Sequence, residues 1–140
     1  VEHRIEFVKT VNGVTFINDS KGTNPDATIN AIRAMKVPTV LILGGFDKHS
    51  EFDELFADFT ENIKSVVILG ATAPKIAAAA DKAGFCDYIM ANGFKDAVIK
   101  AYKEAKEGWN VLLSPACASW DMFDNFEQRG RVFKEIVREL

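Results

Sequence analysis

Two short apolar runs decide the fold class of this chain. Thr39 to Leu43 (TVLIL) and Ser65 to Leu69 (SVVIL) are continuous, rich in β-branched residues, and closed by glycine at Gly44-Gly45 and at Gly70. A strand with one wet face alternates apolar and polar residues, whereas a strand apolar at every position is covered on both faces. In a parallel sheet that cover comes from the helices that cross between strands. The residues between the two runs supply such a helix. Phe52, Leu55, Phe56, Phe59 and Ile63 recur at helical spacing, and Ser50 with Asp53 has the spacing of a capping box at its start.

The alternation extends both ways along the chain. Arg4 to Val11 and Val14 to Asn18 read as strands joined by Asn12-Gly13, a dipeptide that suits a type I′ hairpin turn. Asn24-Pro25 opens a helix to about Met35 with Ile29, Ile32 and Met35 inward; Asn caps, and Pro costs nothing at the first helical position. Beyond Leu69 come an Ala-rich helix (Thr72 to Ala83), a strand (Cys86 to Ile89), a helix marked by Phe94, Ala97, Val98, Ala101 and Ala105, and a strand (Val111 to Leu113). Asp124 and Glu127 have N-cap and N3 spacing for a final helix with Phe133, Ile136, Val137 and Leu140 inward. The expectation is a single α/β domain over residues 1–140, Rossmann-like, with about six mostly parallel strands, an antiparallel strand from the N-terminal hairpin, and helices on both faces.

Bulk properties exclude several functions. A net charge of -3 argues against general nucleic-acid binding, and no Lys/Arg run suggests a membrane surface. No apolar run approaches the roughly eighteen residues of a membrane span. Cys86 and Cys117 lack CxxC spacing and read as buried free thiols in a reducing, cytoplasmic compartment. His3 and His49 read as surface residues, and no Cys/His cluster suggests zinc. The chain starts at Val1, already close to a strand, which is expected of a processed chain or of a piece of a larger protein.

In parallel α/β sheets ligands bind beyond the carboxyl ends of the strands. Four polar segments fall there: NDSKGTN (Asn18 to Asn24), GGFDK (Gly44 to Lys48), GATAP (Gly70 to Pro74) and SPACAS (Ser114 to Ser119). One edge would thus collect Asp19, Lys21, Thr23, Lys48 and Ser119, a set suited to an anionic ligand rather than to an acid–base pair. If Asp124 is the cap, the N–H of Phe126 lies among the unpaired amides of the first turn, a further place for an anion. No GxxxxGK[ST] phosphate loop, GxGxxG fingerprint or GxSxG elbow is present.

The strings HRIEF, NGVTFINDSKGTNPDAT, LILGGFDK and LLSPACASWDMFDNFEQRGRVF together resemble the C-terminal domain of the Mur ligase family of peptidoglycan synthesis, in its D-glutamate-adding branch. The resemblance covers the whole chain. It implies one domain of a three-domain cytoplasmic enzyme of cell-wall biogenesis, with the N-terminal and central ATPase domains outside this chain. The phosphate loop, the Mg²⁺ sites and most ATP contacts would lie in the central domain. The implied partners are ATP, D-glutamate and UDP-N-acetylmuramoyl-L-alanine, with no nucleic acid and no membrane, and the domain by itself would be inactive.

Residue by residue, the resemblance implies that Arg4 lies against the adenine–ribose end of ATP and that Asp19 accepts hydrogen bonds from the ribose. Lys21 would face the transferring phosphoryl group. Thr23 and Lys48 would hold one carboxylate of D-glutamate, while Ser119 and the amides near Trp120 and Phe126 would hold the other. Trp120 is bulkier than the aliphatic residue usual in the motif, and Gly22 stands where Ala is common. Two alternatives stay open at this level: a carboxylate- or nucleotide-binding module without catalysis, and the same domain of a sister ligase.

Overall fold

The computed structural model describes residues 1–46 and 49–140. Its elements follow in chain order as β1 (Glu6–Val11), β2 (Val14–Asn18), α1 (Pro25–Ala34), β3 (Thr39–Gly44), α2 (Asp53–Ala57), β4 (Ile63–Leu69), α3 (Ala73–Lys82), β5 (Tyr88–Met90), α4 (Phe94–Glu104), β6 (Asn110–Leu113) and α5 (Phe126–Arg138). The strands form one six-stranded sheet in the order β1-β2-β6-β3-β4-β5. Only β1 and β2 are antiparallel, paired Val11 to Val14 across a turn whose two residues have φ of 49° (Asn12) and 79° (Gly13), as a type I′ hairpin requires. All other neighbours are parallel.

The apolar runs occupy the middle of the sheet, where every residue of β3 is buried. Alternate residues point to opposite layers. Leu41, Leu43, Val66, Ile68 and Leu112 meet α1, α2 and α3 on one face. Val40, Ile42, Val67, Leu69, Val111 and Leu113 meet α4 and α5 on the other. Removing side chains of this size from water stabilises the fold by about 1.5–3 kcal/mol each before chain ordering is counted.

Several local expectations are corrected. The N-cap of α5 is Asn125, not Asp124: Asn125 accepts from the Gln128 N–H at 2.8 Å, and the Gln128 side chain reaches back to the Asp124 N–H at 2.7 Å. The pair resembles a capping box, except that the Gln128 side chain takes the N–H of the residue before the cap rather than that of the cap itself. The α2 helix is only five residues long and has no side-chain cap. Phe52, 1% exposed, is anchored in the core at its start, so packing rather than a Ser50–Asp53 box sets the entry. Ile63 belongs to β4, where it pairs with Thr39.

His3 is buried, 3% exposed, under the start of α5. Cys117 is buried as expected, but Cys86 is exposed, because β5 begins only at Tyr88 and leaves it in the preceding loop. Among the described residues, no helix is long and apolar enough to cross a membrane.

Candidate functional site

The insertion of β6 between β2 and β3 places the loop after the last strand between those after two earlier ones. The four polar segments are then hydrogen-bonded to one another. The Ala116 N–H donates to the Gly22 carbonyl at 2.9 Å, joining the loops after β6 and β2. Phe46 and Ala118 form an antiparallel bridge that joins the loops after β3 and β6. The Thr72 hydroxyl donates to the Gly45 carbonyl at 2.7 Å, and the Ala71 N–H donates to Asp121 at 3.1 Å. Gly44 and Gly45, with φ of 129° and 142°, permit this crowding; a Cβ at Gly45 would stand 2.5 Å from the Ala118 carbonyl oxygen.

Arg4, Asp19 and Lys21 line one cleft of about 170 Å³, together with Ile5, Gly22, Ala27 and Asn30. Arg4 and Lys21 are exposed, whereas Asp19 is 4% exposed. The Asp19 carboxylate accepts from the Ile5 N–H at 3.1 Å and from the Ser114 hydroxyl at 2.6 Å. Burial raises its pKa above the ordinary carboxylate value, against the pull of those two hydrogen bonds and of the Arg4 and Arg129 charges.

The other expected residues lie on the adjoining loops. Thr23 is half-buried, and its N–H donates to the Lys21 carbonyl at 2.8 Å. Ser119 is buried, 2% exposed, with its carbonyl accepting from the N–H groups of Met122 and Phe123. Trp120 is 58% exposed and its ring lies 5.6 Å from that of Phe46. Phe126 is the first residue of α5; its carbonyl accepts from the Ser20 hydroxyl at 2.7 Å. Lys48 falls outside the described residues.

Residues that sequence spacing does not single out hold this edge together. Ser114 opens the SPACAS segment and binds both Asp19 and Thr28, the latter at 3.0 Å. Arg129, 1% exposed, donates from Nε to the Ser20 hydroxyl at 2.9 Å, from Nη2 to the Ser20 carbonyl at 2.7 Å and from Nη1 to the Cys117 carbonyl at 3.0 Å. Burial pulls its pKa down to about 10, so it remains a cation at neutral pH and pins the β2 loop to the β6 loop. A signal was available: Arg129 precedes buried Phe133 and Val137 at four-residue spacing, on the inner stripe of α5.

Among the described residues, no three His, Cys, Asp or Glu side chains converge to hold a metal ion.

Comparison with known proteins agrees with this architecture. The family model described as Mur ligase, glutamate ligase domain, matches residues 3–117. The chain is 59% identical to UDP-N-acetylmuramoylalanine--D-glutamate ligase of Thermoanaerobacter sp. (strain X514), over 100% of this chain and 31% of that protein. It therefore spans about a third of the length of such relatives. Among solved structures it resembles Mycobacterium tuberculosis folylpolyglutamate synthase complexed with ADP (TM-score 0.67, 13% identity, 95% of this chain and 32% of that one). It also resembles the MurF ligase of Thermotoga maritima in complex with ADP (TM-score 0.59, 16% identity, 99% and 32%). At such identities the two structures speak for the fold alone. With the family model covering most of its length, the chain belongs to the Mur ligase family, as its glutamate ligase domain.

Proposed function

We propose that this chain is the glutamate-receiving part of an ATP-dependent ligase that joins D-glutamate to UDP-N-acetylmuramoyl-L-alanine. The observation that carries the reading is the convergence of Arg4, Asp19 and Lys21 on one cleft, in a chain 59% identical to a relative bearing that name. Asp19 accepts one N–H and one O–H, and an ionised carboxylate has about four lone-pair sites, so it keeps capacity for ribose hydroxyls. Arg4 flanks the adenine–ribose end. The Lys21 ammonium faces the phosphoryl group as that group passes from ATP to the L-alanine carboxylate, and ADP leaves.

The D-glutamate amine then attacks the acyl carbon, an amide bond forms, and phosphate departs; the amine gives up a proton in the process. Thr23 and Lys48 hold one glutamate carboxylate. Ser119 and the first-turn amides of α5 near Phe126 hold the other, with Trp120 beside them. Catalysis on this reading is positioning and electrostatics, with charge-assisted hydrogen bonds fixing the amine toward its target. The protein carrying this domain acts in cell-wall synthesis in the cytoplasm, and magnesium accompanies ATP outside this chain.

The test is Lys48→Ala in the full-length protein. Loss of one charge-assisted contact to a carboxylate is worth about 1.5–3 kcal/mol, so the KM for D-glutamate rises by roughly ten- to a hundredfold while that for ATP stays within about threefold. Equal effects on both substrates contradict the assignment.

A further inference from the structure

The wall of the cleft that bears Arg4 is built on a strained segment. His3 and Ile5, neither of them glycine, have φ of 64° and 44°. Such backbone persists only where its surroundings over-determine it. Here the flanking backbone groups of Arg4 are engaged by the cleft itself. The His3 carbonyl accepts from the Lys21 N–H at 3.0 Å, and the Ile5 N–H donates to Asp19 at 3.1 Å. Whatever holds residues 2–6 therefore also sets Asp19 and Lys21.

The anchor lies on the far side of the segment, away from the cleft lining. The Lys134 side chain is 8% exposed, and its Nζ lies 2.7 Å from Glu2 and 3.2 Å from Glu6, one on each side of His3-Arg4. The second Glu6 oxygen accepts from the His3 N–H at 3.1 Å and from the Asn18 side-chain amide at 2.9 Å. The Asn18 oxygen accepts from the Ser20 N–H at 3.1 Å, which turns its NH₂ toward Glu6 and toward His3 Nδ1, 2.9 Å away. His3 Nδ1 is then an acceptor, and its proton sits on Nε2, on the Glu2 side. The imidazole lies against Gly130, where a Cβ would collide with it. All of these partners converge on one exposed-to-buried turn of chain.

We infer that Lys134 is a positioning residue of the nucleotide cleft: by gathering Glu2 and Glu6 it locks the turn that presents Arg4 and fixes the backbone of Lys21. The inference rests on the nucleotide reading given above. A single cation bridges both carboxylates, the remaining negative charge being shared with water at exposed Glu2, and its neutral isostere Met keeps the stem packing while losing that link.

The experiment compares Lys134→Met, Lys134→Arg and Glu2→Gln in the full-length protein, with hydrogen exchange and steady-state kinetics on each. Lys134→Met is expected to speed exchange at the Ile5 and Lys21 amides roughly tenfold, with β3 and β4 amides unchanged. It is expected to raise the KM for ATP about fivefold while the KM for D-glutamate and kcat move less than about twofold. Lys134→Arg restores both readouts, and Glu2→Gln, at an exposed position, gives a weaker form of the Met effect. Unchanged exchange at Ile5 and Lys21 in Lys134→Met overturns the positioning role, as does faster exchange with an unmoved ATP KM where Asp19→Ala does move it. If neither Lys134→Met nor Asp19→Ala shifts the ATP KM, the nucleotide reading fails and the inference falls with it.

Discussion

Asp19 is the residue at which the proposed function and stability pull apart. It is nearly sealed from water, yet its carboxylate lines the cleft. Burial raises its pKa, so the folded chain binds its proton more tightly than the unfolded chain does. By linkage, the contribution of Asp19 to stability is greatest below the ordinary carboxylate pKa and falls as pH rises from there through the raised value. Asp19→Asn removes that slope. The variant is expected to gain on the wild type as pH rises from the ordinary carboxylate value of about 3.9, as read by urea unfolding at each pH; a variant that loses ground as pH rises from there contradicts the sign. Ser114 is the companion prediction. Ser114→Ala deprives the buried carboxylate of its O–H donor and is expected to cost about 1–3 kcal/mol at neutral pH. Gly22 is coupled to the same pair, since a Cβ there would stand 2.5 Å from the Ser114 hydroxyl and 2.8 Å from Asp19. Alanine at this position requires a side-chain shift.

At the scale of elements, what could be read from the sequence was whatever local chemistry decides. TVLIL and SVVIL carry the β-branched, glycine-closed pattern of strands covered twice, Asn12-Gly13 that of a tight turn, and Asn24-Pro25 that of a helix start. The errors arose where distant packing overrode local spacing. Ile63 matched a helical stripe, but the α2 turn ends at Ala57 and β3 claims Ile63 as a strand neighbour. His3 looks like surface from sequence because its burial depends on α5, more than a hundred residues away. The site shows the same division: the four loops were legible from strand ends, but the Ser114–Asp19 and Arg129–Ser20 links join segments that no spacing connects. The one-residue error at the α5 cap is itself testable. Asn125→Ala is expected to cost about 1 kcal/mol and Asp124→Ala only a few tenths, by thermal or urea unfolding; the reverse order contradicts the assignment of the cap. Arg129→Lys cannot reproduce a three-pronged fork, and each charge-assisted hydrogen bond lost is worth roughly 1.5–3 kcal/mol. Its unfolding midpoint should fall well below those of both cap variants.

For the whole molecule, the sheet order matters most. Placing β6 between β2 and β3 draws the last loop into the centre of the edge that carries the candidate site, and α5 then packs so that Lys134 receives the N-terminal turn. One end of the chain is thereby built into the same site as the other. The domain spans about a third of its relatives, and the chemistry proposed for it needs what the rest of such a protein supplies. The isolated 140-residue chain is expected to fold without releasing phosphate from ATP. The most direct test of the central claim is the transfer of labelled D-glutamate to UDP-N-acetylmuramoyl-L-alanine by the full-length protein, with and without ATP and with Lys21→Ala. The account predicts ATP-dependent transfer, one ADP per amide formed, and a loss of about a hundredfold or more in the variant. Transfer of a different amino acid in preference to D-glutamate, or full activity in Lys21→Ala, would contradict it.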